Sequence, residues 1–347
     1  MPVTVVVGGQ FGGEGKGKVV HFLAQETKAR IAIRVGGSNS GHTVIDPTGS
    51  PIIFRHLPTA AILPDVISVL GAGSYINPDI LLREIFRIGL PPNRLLIDPN
   101  AMIVTEHELN EERNSLLRQS IGSTLSGTGA AVSKRISRDP STLFARNEKR
   151  LEQYVRPVIP VMREHLEAGQ RIIIEGTQGF GLSLLHSKYY PYVTSRDTTA
   201  AAFVSEAGLS PLDVDDVVLV LRTFPIRVGG NSGPLTNEID WEVVTNESGT
   251  QIPILEYTSV TKIVRRVGRF DPDIARQAIM VNQPSRTVLN HLDYIDTSCK
   301  ERGMLTEKAT AFVVDVELLI GRKIDYFGFG PALLSPRRQN VREVRMA

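Results

Sequence analysis

Along the chain, short runs rich in β-branched residues alternate with longer stretches whose apolar positions recur at helical spacing. Thr4–Val7, Ile31–Arg34, Val66–Leu70, Arg171–Ile174, Val217–Leu221 and Ala278–Val281 predict strands. Pro78–Ile88, Asn147–Ala168 and Arg286–Leu292 predict helices. The alternation predicts an α/β fold, a single large domain around a mostly parallel central sheet. Ile121–Ser133, rich in Gly, Ser and Thr, reads as an ordered loop, and Pro225–Pro234 as a second glycine-rich loop. No internal repeat, low-complexity tract or linker interrupts the pattern. The functional stretches follow predicted strands, where open α/β sheets build their sites. One domain over residues 1–347 with one composite site is the simplest organisation, with residues 331–347 as a basic tail. Its Arg337, Arg338, Arg342 and Arg345 read as a solvated end rather than a binding arm.

Composition narrows the function classes. With 347 residues, a net charge of +2 and 22% charged residues, nothing suggests a nucleic-acid-coating surface. Cys299 is the sole cysteine, so an intrachain disulfide and a thiolate metal site are both excluded. The N-terminus lacks the basic region and cleavage site of a signal peptide. No stretch reaches the roughly 18 apolar residues that span a bilayer. A cytoplasmic protein that binds neither membrane nor nucleic acid is expected.

The chemistry begins at Val5–Lys18, VVVGGQFGGEGKGK, which reads as strand, phosphate-cradling loop and helix start. Amides exposed by glycine, a helix N-terminus and lysine ammonium groups make a polyphosphate site. The expected phosphate contacts run through Gly12, Gly13, Glu14, Gly15, Lys16, Gly17 and Lys18. This is not a Walker A loop, because Gln10 stands where its first glycine belongs and Gly17 where Ser or Thr would hold Mg²⁺. A second glycine loop, Arg34–Thr43 (RVGGSNSGHT), carries Asn39 and His42. On its own it reads as a turn bearing a solvent-facing histidine.

Taken together, these motifs resemble the adenylosuccinate synthetase family, whose first loop reads G-x-Q-W-G-D-E-G-K-G-K. The resemblance runs in order through nearly the whole chain and implies a fold related to the P-loop NTPases. It implies Lys16 and His42 as catalytic groups, His42 as general acid on the phosphoryl group in transfer. Gly41 would give a backbone carbonyl to Mg²⁺, the implied cofactor, with Gly13 as a further backbone ligand and Thr43 beside the triphosphate. Ser123, Thr124, Gln178, Thr194, Val228, Gly229 and Asn39 would bind the purine monophosphate. Arg138 would reach the same phosphate from the partner subunit of a homodimer. Thr261, Arg265 and Arg266 fall in the family's aspartate loop, where guanidinium forks suit a carboxylate. His291, Asp293, Gly328 and Gly330 fall in the pocket for the triphosphate's base.

This chain also departs from the family pattern. Gly13 replaces the catalytic Asp, Ile263 an Arg near the ribose, His291 a Lys, and Gly328 a Ser of the guanine pocket. One branch of the family shares the missing Asp: compact phage enzymes that join L-aspartate to dGMP, with ATP or dATP as energy source, for DNA containing 2-aminoadenine. The resemblance to that branch implies the same reaction here, in the host cytoplasm, with Gly13 freeing volume for the 2-amino group. Glu14, Ser40, water or a phosphate oxygen would then remove the N1 proton. The rival readings are an ordinary adenylosuccinate synthetase using IMP and GTP, and an inactive nucleotide-binding regulator.

Overall fold

The computed structural model describes residues 2–258 and 262–340. Nine strands make the main sheet: β1 (Val3–Gly8), β2 (Ile31–Arg34), β3 (Ile67–Leu70), β4 (Leu95–Ile97), β5 (Ile172–Glu175), β6 (Val214–Arg222), β7 (Arg286–Asn290), β8 (Tyr326–Phe329) and β9 (Leu333–Pro336). Their order is β9-β8-β7-β6-β1-β5-β2-β3-β4. All neighbours are parallel except β8 and β9. In β1, Val3, Val5 and Val7 pack into the core on one face with Phe203 and Met162. Val6 points the other way, onto Val19, Val20 and Leu23 of helix α1 (Lys16–Glu26). A strand buried on both faces has no use for polar alternation, which is why these runs read as continuous β-branched segments.

Parallel pairing sends the carboxyl ends of β1, β2, β5, β6 and β7 to one edge, and the site residues follow those ends. Three smaller sheets frame that edge. A hairpin of His42–Ile45 with Pro51–Phe54 carries His42, and Tyr75–Ile76 pairs with Met102–Ile103. Ile226–Arg227, Arg266–Gly268 and Glu238–Ile239 form an antiparallel sheet that positions the arginine loop.

The structure corrects several sequence expectations. Ala278–Val281 lies inside the helix Pro272–Asn282, which Asp271 caps by accepting from Asp273 N. Arg286–Leu292 is mostly β7, paired between β6 and β8. The predicted helix Asn147–Ala168 is interrupted, with a 3-10 segment at Lys149–Tyr154 and an α-helix beginning only at Val158, after Pro157. Thr128–Ile136 is helical, so the loop expected over Ile121–Ser133 ends early. The tail is not free throughout: residues 333–336 form β9, and Arg337 pairs with Glu317. Arg342 and Arg345 lie outside the described residues. Among the described residues no helix is long and apolar enough to cross a membrane.

Candidate active site

The glycine loop between β1 and α1 is clamped to β6 by reciprocal hydrogen bonds. Gln10 Nε2 donates to Arg222 O at 3.1 Å, and Arg222 N donates to Gln10 Oε1 at 2.9 Å. Inside the loop the Glu14 carboxylate, fully buried, accepts from Gln10 N at 3.1 Å and Gly12 N at 2.8 Å. Its other oxygen meets Lys16 Nζ at 2.8 Å, and Lys16 also donates to Gln178 O. Glu14 is thus a brace of the loop. Buried and with both oxygens occupied, it is not available as the base that removes a substrate proton. Gly17 lies in the first turn of α1, packed against the hairpin and the segment Thr59–Ile62, where a Cβ would lie 2.8 Å from both Thr43 O and Thr59 Cγ2. That contact explains why no Ser or Thr stands there. Thr43 itself is exposed on the hairpin.

His42 is fixed by the ends of β2 and β5. Its Nδ1 donates to Glu175 Oε1 at 2.5 Å, and Arg34 Nη1 donates to the same oxygen at 3.0 Å. Glu175 Oε2 accepts from Thr59 N at 2.7 Å and Thr59 Oγ1 at 2.9 Å. Burial and the Arg34 charge push the imidazole down to about 3, against the pull of Glu175. Burial alone would raise the Glu175 carboxyl, but the His42 hydrogen bond and the Arg34 charge hold it at about 2. The ring is therefore neutral at pH 7, and the bond at Nδ1 leaves Nε2 to meet a ligand. Ser40 Oγ lies beside this group, 2.6 Å from Thr177 Oγ1 and 3.1 Å from Arg34 Nη2.

Around Gly13 the surroundings are cationic. Arg222 is completely buried, donates to Gly13 O at 2.9 Å and pairs with Glu256 at 2.5 Å. Burial would raise the Glu256 carboxyl, but Arg222 holds it at about 2. A Cβ on Gly13 would meet Ile226 Cδ1 at 2.4 Å and Arg265 Nη1 at 2.6 Å. The volume expected to be free at Gly13 is thus already filled by those two side chains. The Gly13 carbonyl faces the Arg222 guanidinium, an environment hostile to the dication expected there.

The expected monophosphate site is one cavity of about 740 Å³ lined by Asn39, Ser123, Thr124, Gln178, Thr194 and Val228 among others. Asn39 Nδ2 lies 3.5 Å from Thr194 Oγ1. Gly229 follows Val228, where a Cβ would lie 2.7 Å from Ile263 Cγ2. Arg138 is exposed beyond the helix Thr128–Ile136 and is not in the lining of that cavity. The structure separates the two adjacent arginines of the aspartate loop. Arg265 lies at Gly13, whereas Arg266 pairs with Glu238 at 2.5 Å and donates to Gly233 O at 2.7 Å. Successive residues entering a strand face opposite ways, so the two forks do not converge. Thr261 lies outside the described residues.

Next to the loop, Lys18, His291, Asp293, Gly328 and Gly330 come together. Lys18 Nζ donates to Gly330 O at 3.0 Å, and burial, opposed by Asp293, lowers its ammonium to about 8. Burial and then Arg222 push the His291 ring down.

Among the described residues no group of three or more His, Cys, Asp or Glu side chains converges as a metal site. Arg34, Glu175, Arg222 and Glu256 escaped assignment from sequence although they anchor the site. Their partners lie far away in the chain, and only the strand-end positions of Arg34, Glu175 and Arg222 signal a role.

The family model described as adenylosuccinate synthetase matches residues 5–146 and 141–300. The adenylosuccinate synthetase of Methanococcus maripaludis is 37% identical over 345 residues, covering 96% of this chain and 98% of the relative. That of Methanocaldococcus jannaschii is 35% identical over 340 residues, covering 95% and 94%. Among solved structures, fully ligated adenylosuccinate synthetase from Plasmodium falciparum superposes with a TM-score of 0.86 at 21% identity, covering 97% of this chain and 100% of that one. Cyanophage S-2L succinoaminodeoxyadenylate synthetase (PurZ), bound to dGMP and to dATP as an energy donor, superposes with a TM-score of 0.81 at 30% identity, covering 96% and 95%.

Proposed function

The chain belongs to the adenylosuccinate synthetase family, carbon–nitrogen ligases acting on a purine nucleotide and aspartate, and we propose that within it this chain joins L-aspartate to C6 of dGMP at the expense of ATP or dATP. The observation that carries the reading is Gly13. Without a carboxylate at that position, with two guanidinium groups around it, the site differs from one built to deprotonate IMP through an aspartate. The similarity to the cyanophage enzyme, solved with dGMP and dATP, supports the same assignment.

The chemical need is a leaving group at C6. The γ-phosphoryl group moves from the triphosphate to O6, leaving a diphosphate, and N1 passes its proton to a phosphate oxygen, to water or by way of Ser40. The α-amino group of aspartate then attacks C6 and phosphate departs. Lys16 and the loop amides offset charge on the phosphoryl oxygens, as in other phosphoryl transfers. Lys16 donates to Glu14 and Gln178 O, and the Gln10 and Gly12 amides donate to Glu14, so a phosphate bound there would exchange those contacts. His42, neutral at first, gains basicity at Nε2 as phosphate charge approaches, and then holds a proton on the transferring oxygens. Arg265 would meet the aspartate carboxylate. The Gly41 carbonyl and the phosphates would hold Mg²⁺, whose contribution is further charge neutralisation. The second subunit of a homodimer would bring Arg138 to the substrate phosphate.

The archaeal relatives, at 35% and 37% identity over almost the whole chain, favour a second reading. In it the substrates are IMP and GTP and the missing carboxylate is replaced by another group. Phosphate release measured with dGMP or IMP, each with ATP or GTP, separates the two. The dGMP reading expects turnover that needs dGMP, L-aspartate and an adenine triphosphate together. Equal or faster turnover with IMP and GTP would overturn it.

A further inference from the structure

Asn290 ends β7 and is completely buried. Its Nδ2 donates to the carbonyl of Glu14 at 2.7 Å, tying the base pocket to the phosphate loop. That bond fixes the orientation of the carboxamide, since a flipped group would set two acceptor oxygens against each other. Oδ1 therefore faces away from the loop, and it has no partner among the described residues. A buried acceptor left unpaired is costly unless a ligand supplies the donor. Asp293 Oδ1 and His291 Nδ1, within three residues, are also buried without partners.

Gly328, on the adjacent strand β8, explains how Asn290 fits. A Cβ there would lie 1.7 Å from Asn290 Oδ1 and 2.7 Å from Lys18 Nζ. The carboxamide thus occupies the space that a side chain at 328 would need. The two positions are one steric unit: Asn at 290 requires Gly at 328.

We infer that Asn290 and Gly328 together select the base of the nucleoside triphosphate, with Asn290 Oδ1 accepting a hydrogen bond from the 6-amino group of an adenine. Guanine presents a carbonyl oxygen at the same ring carbon, which would bring acceptor against acceptor and leave Oδ1 unpaired. This rests on the adenine-triphosphate part of the reading above, and wild-type preference for ATP over GTP tests that part separately.

The inference is tested with Asn290→Thr, Gly328→Ser and the double variant. The readouts are kcat/KM for ATP and GTP, and calorimetric affinities for their non-hydrolysable analogues. Asn290→Thr is expected to lower the ATP-to-GTP ratio about tenfold, the scale of one hydrogen bond with the penalty for an unpaired partner. Gly328→Ser alone is expected to weaken both nucleotides, and adding Asn290→Thr to restore much of the loss. A uniform loss for both nucleotides in Asn290→Thr would show that Asn290 only ties the loop, and would overturn the inference. Additive effects in the double variant would overturn the steric coupling. If Gly328→Ser does not fold, the ratio in Asn290→Thr still decides.

Discussion

Gly13 and Ile226 stand so close that a Cβ on the glycine would lie 2.4 Å from Ile226 Cδ1. The position of the family's aspartate is therefore closed by an apolar side chain from a different strand, and Gly13 has a left-handed backbone with φ of 69°. Asp tolerates that conformation better than most residues, so the main obstacle is Ile226.

Gly13→Asp alone is expected to destabilise the protein by about 1–3 kcal/mol through overpacking. Combined with Ile226→Ala, the carboxylate gains room beside Arg265 and Arg222. In that double variant dGMP turnover should fall and IMP turnover should rise or appear, shifting the ratio on the order of ten- to hundredfold for the same energy range. Phosphate release with each substrate measures it. An unchanged ratio in the double variant would mean that Gly13 does not set substrate choice.

Acid should weaken the fold in two steps. His42 and His56 are both held at about 3, His42 by burial and Arg34, His56 by burial and Arg55. A histidine with a depressed folded pKa contributes fully above its unfolded value, and that contribution is lost as pH falls toward 3. From pH 6.5 to 5 the loss is about 2 kcal/mol per histidine. Glu175, held at about 2, adds a second loss below its ordinary value of 4.5. Urea unfolding at pH 7 and 5 checks this. His56→Gln, which can still accept from Asn77 N, should remove its own share of the first step, to which His21 and His291, also lowered by burial, contribute.

Lys18 should couple pH to nucleotide affinity in the opposite sense from stability. Its ammonium is lowered from 10.5 to about 8 by burial. Between pH 8 and 10.5 the folded state has lost this proton and the unfolded state has not, so this group makes stability rise with pH. Over the same window the site loses a positive charge, and triphosphate binding should weaken. Calorimetric titration at pH 7 and 9 should show the decline, and Lys18→Arg should flatten it. Equal pH dependence in the two proteins would remove Lys18 from the binding site.

Arg138 is exposed in the single chain, and in the proposed dimer it serves the partner's site. Arg138→Leu and Lys16→Ala subunits should each be inactive alone. Mixed, they should recover part of the activity, because one site per heterodimer is intact. Recovery is read by phosphate release after mixing verified by native mass spectrometry, and its absence would argue against shared sites.

The sequence determined what depends on neighbouring residues. Residues 31–34 are β2 as expected, 78–88 a helix capped by Asn77, and Val5–Lys18 a strand, loop and helix start. These segments carry their own signals in β-branched runs, a Pro-bearing helix start and glycine spacing. Where the signal was short and apolar, tertiary context decided. Arg286–Asn290 is a strand because β6 and β8 supply its hydrogen bonds, while Ala278–Val281 is helical because Asp271 and Pro272 begin a helix that runs through it. The charge pattern of the site was also beyond the sequence. Arg222 meets Glu256 across 34 residues, Arg34 meets Glu175 across 141, and Asn290 meets Glu14 across 276. The last two bonds join residues that only the order of the parallel strands brings to one edge, while Glu256 arrives on the loop before the strand Arg266–Gly268. Local propensity therefore wrote the loops and strands, and the folded sheet chose which buried charges and carboxamides face one another.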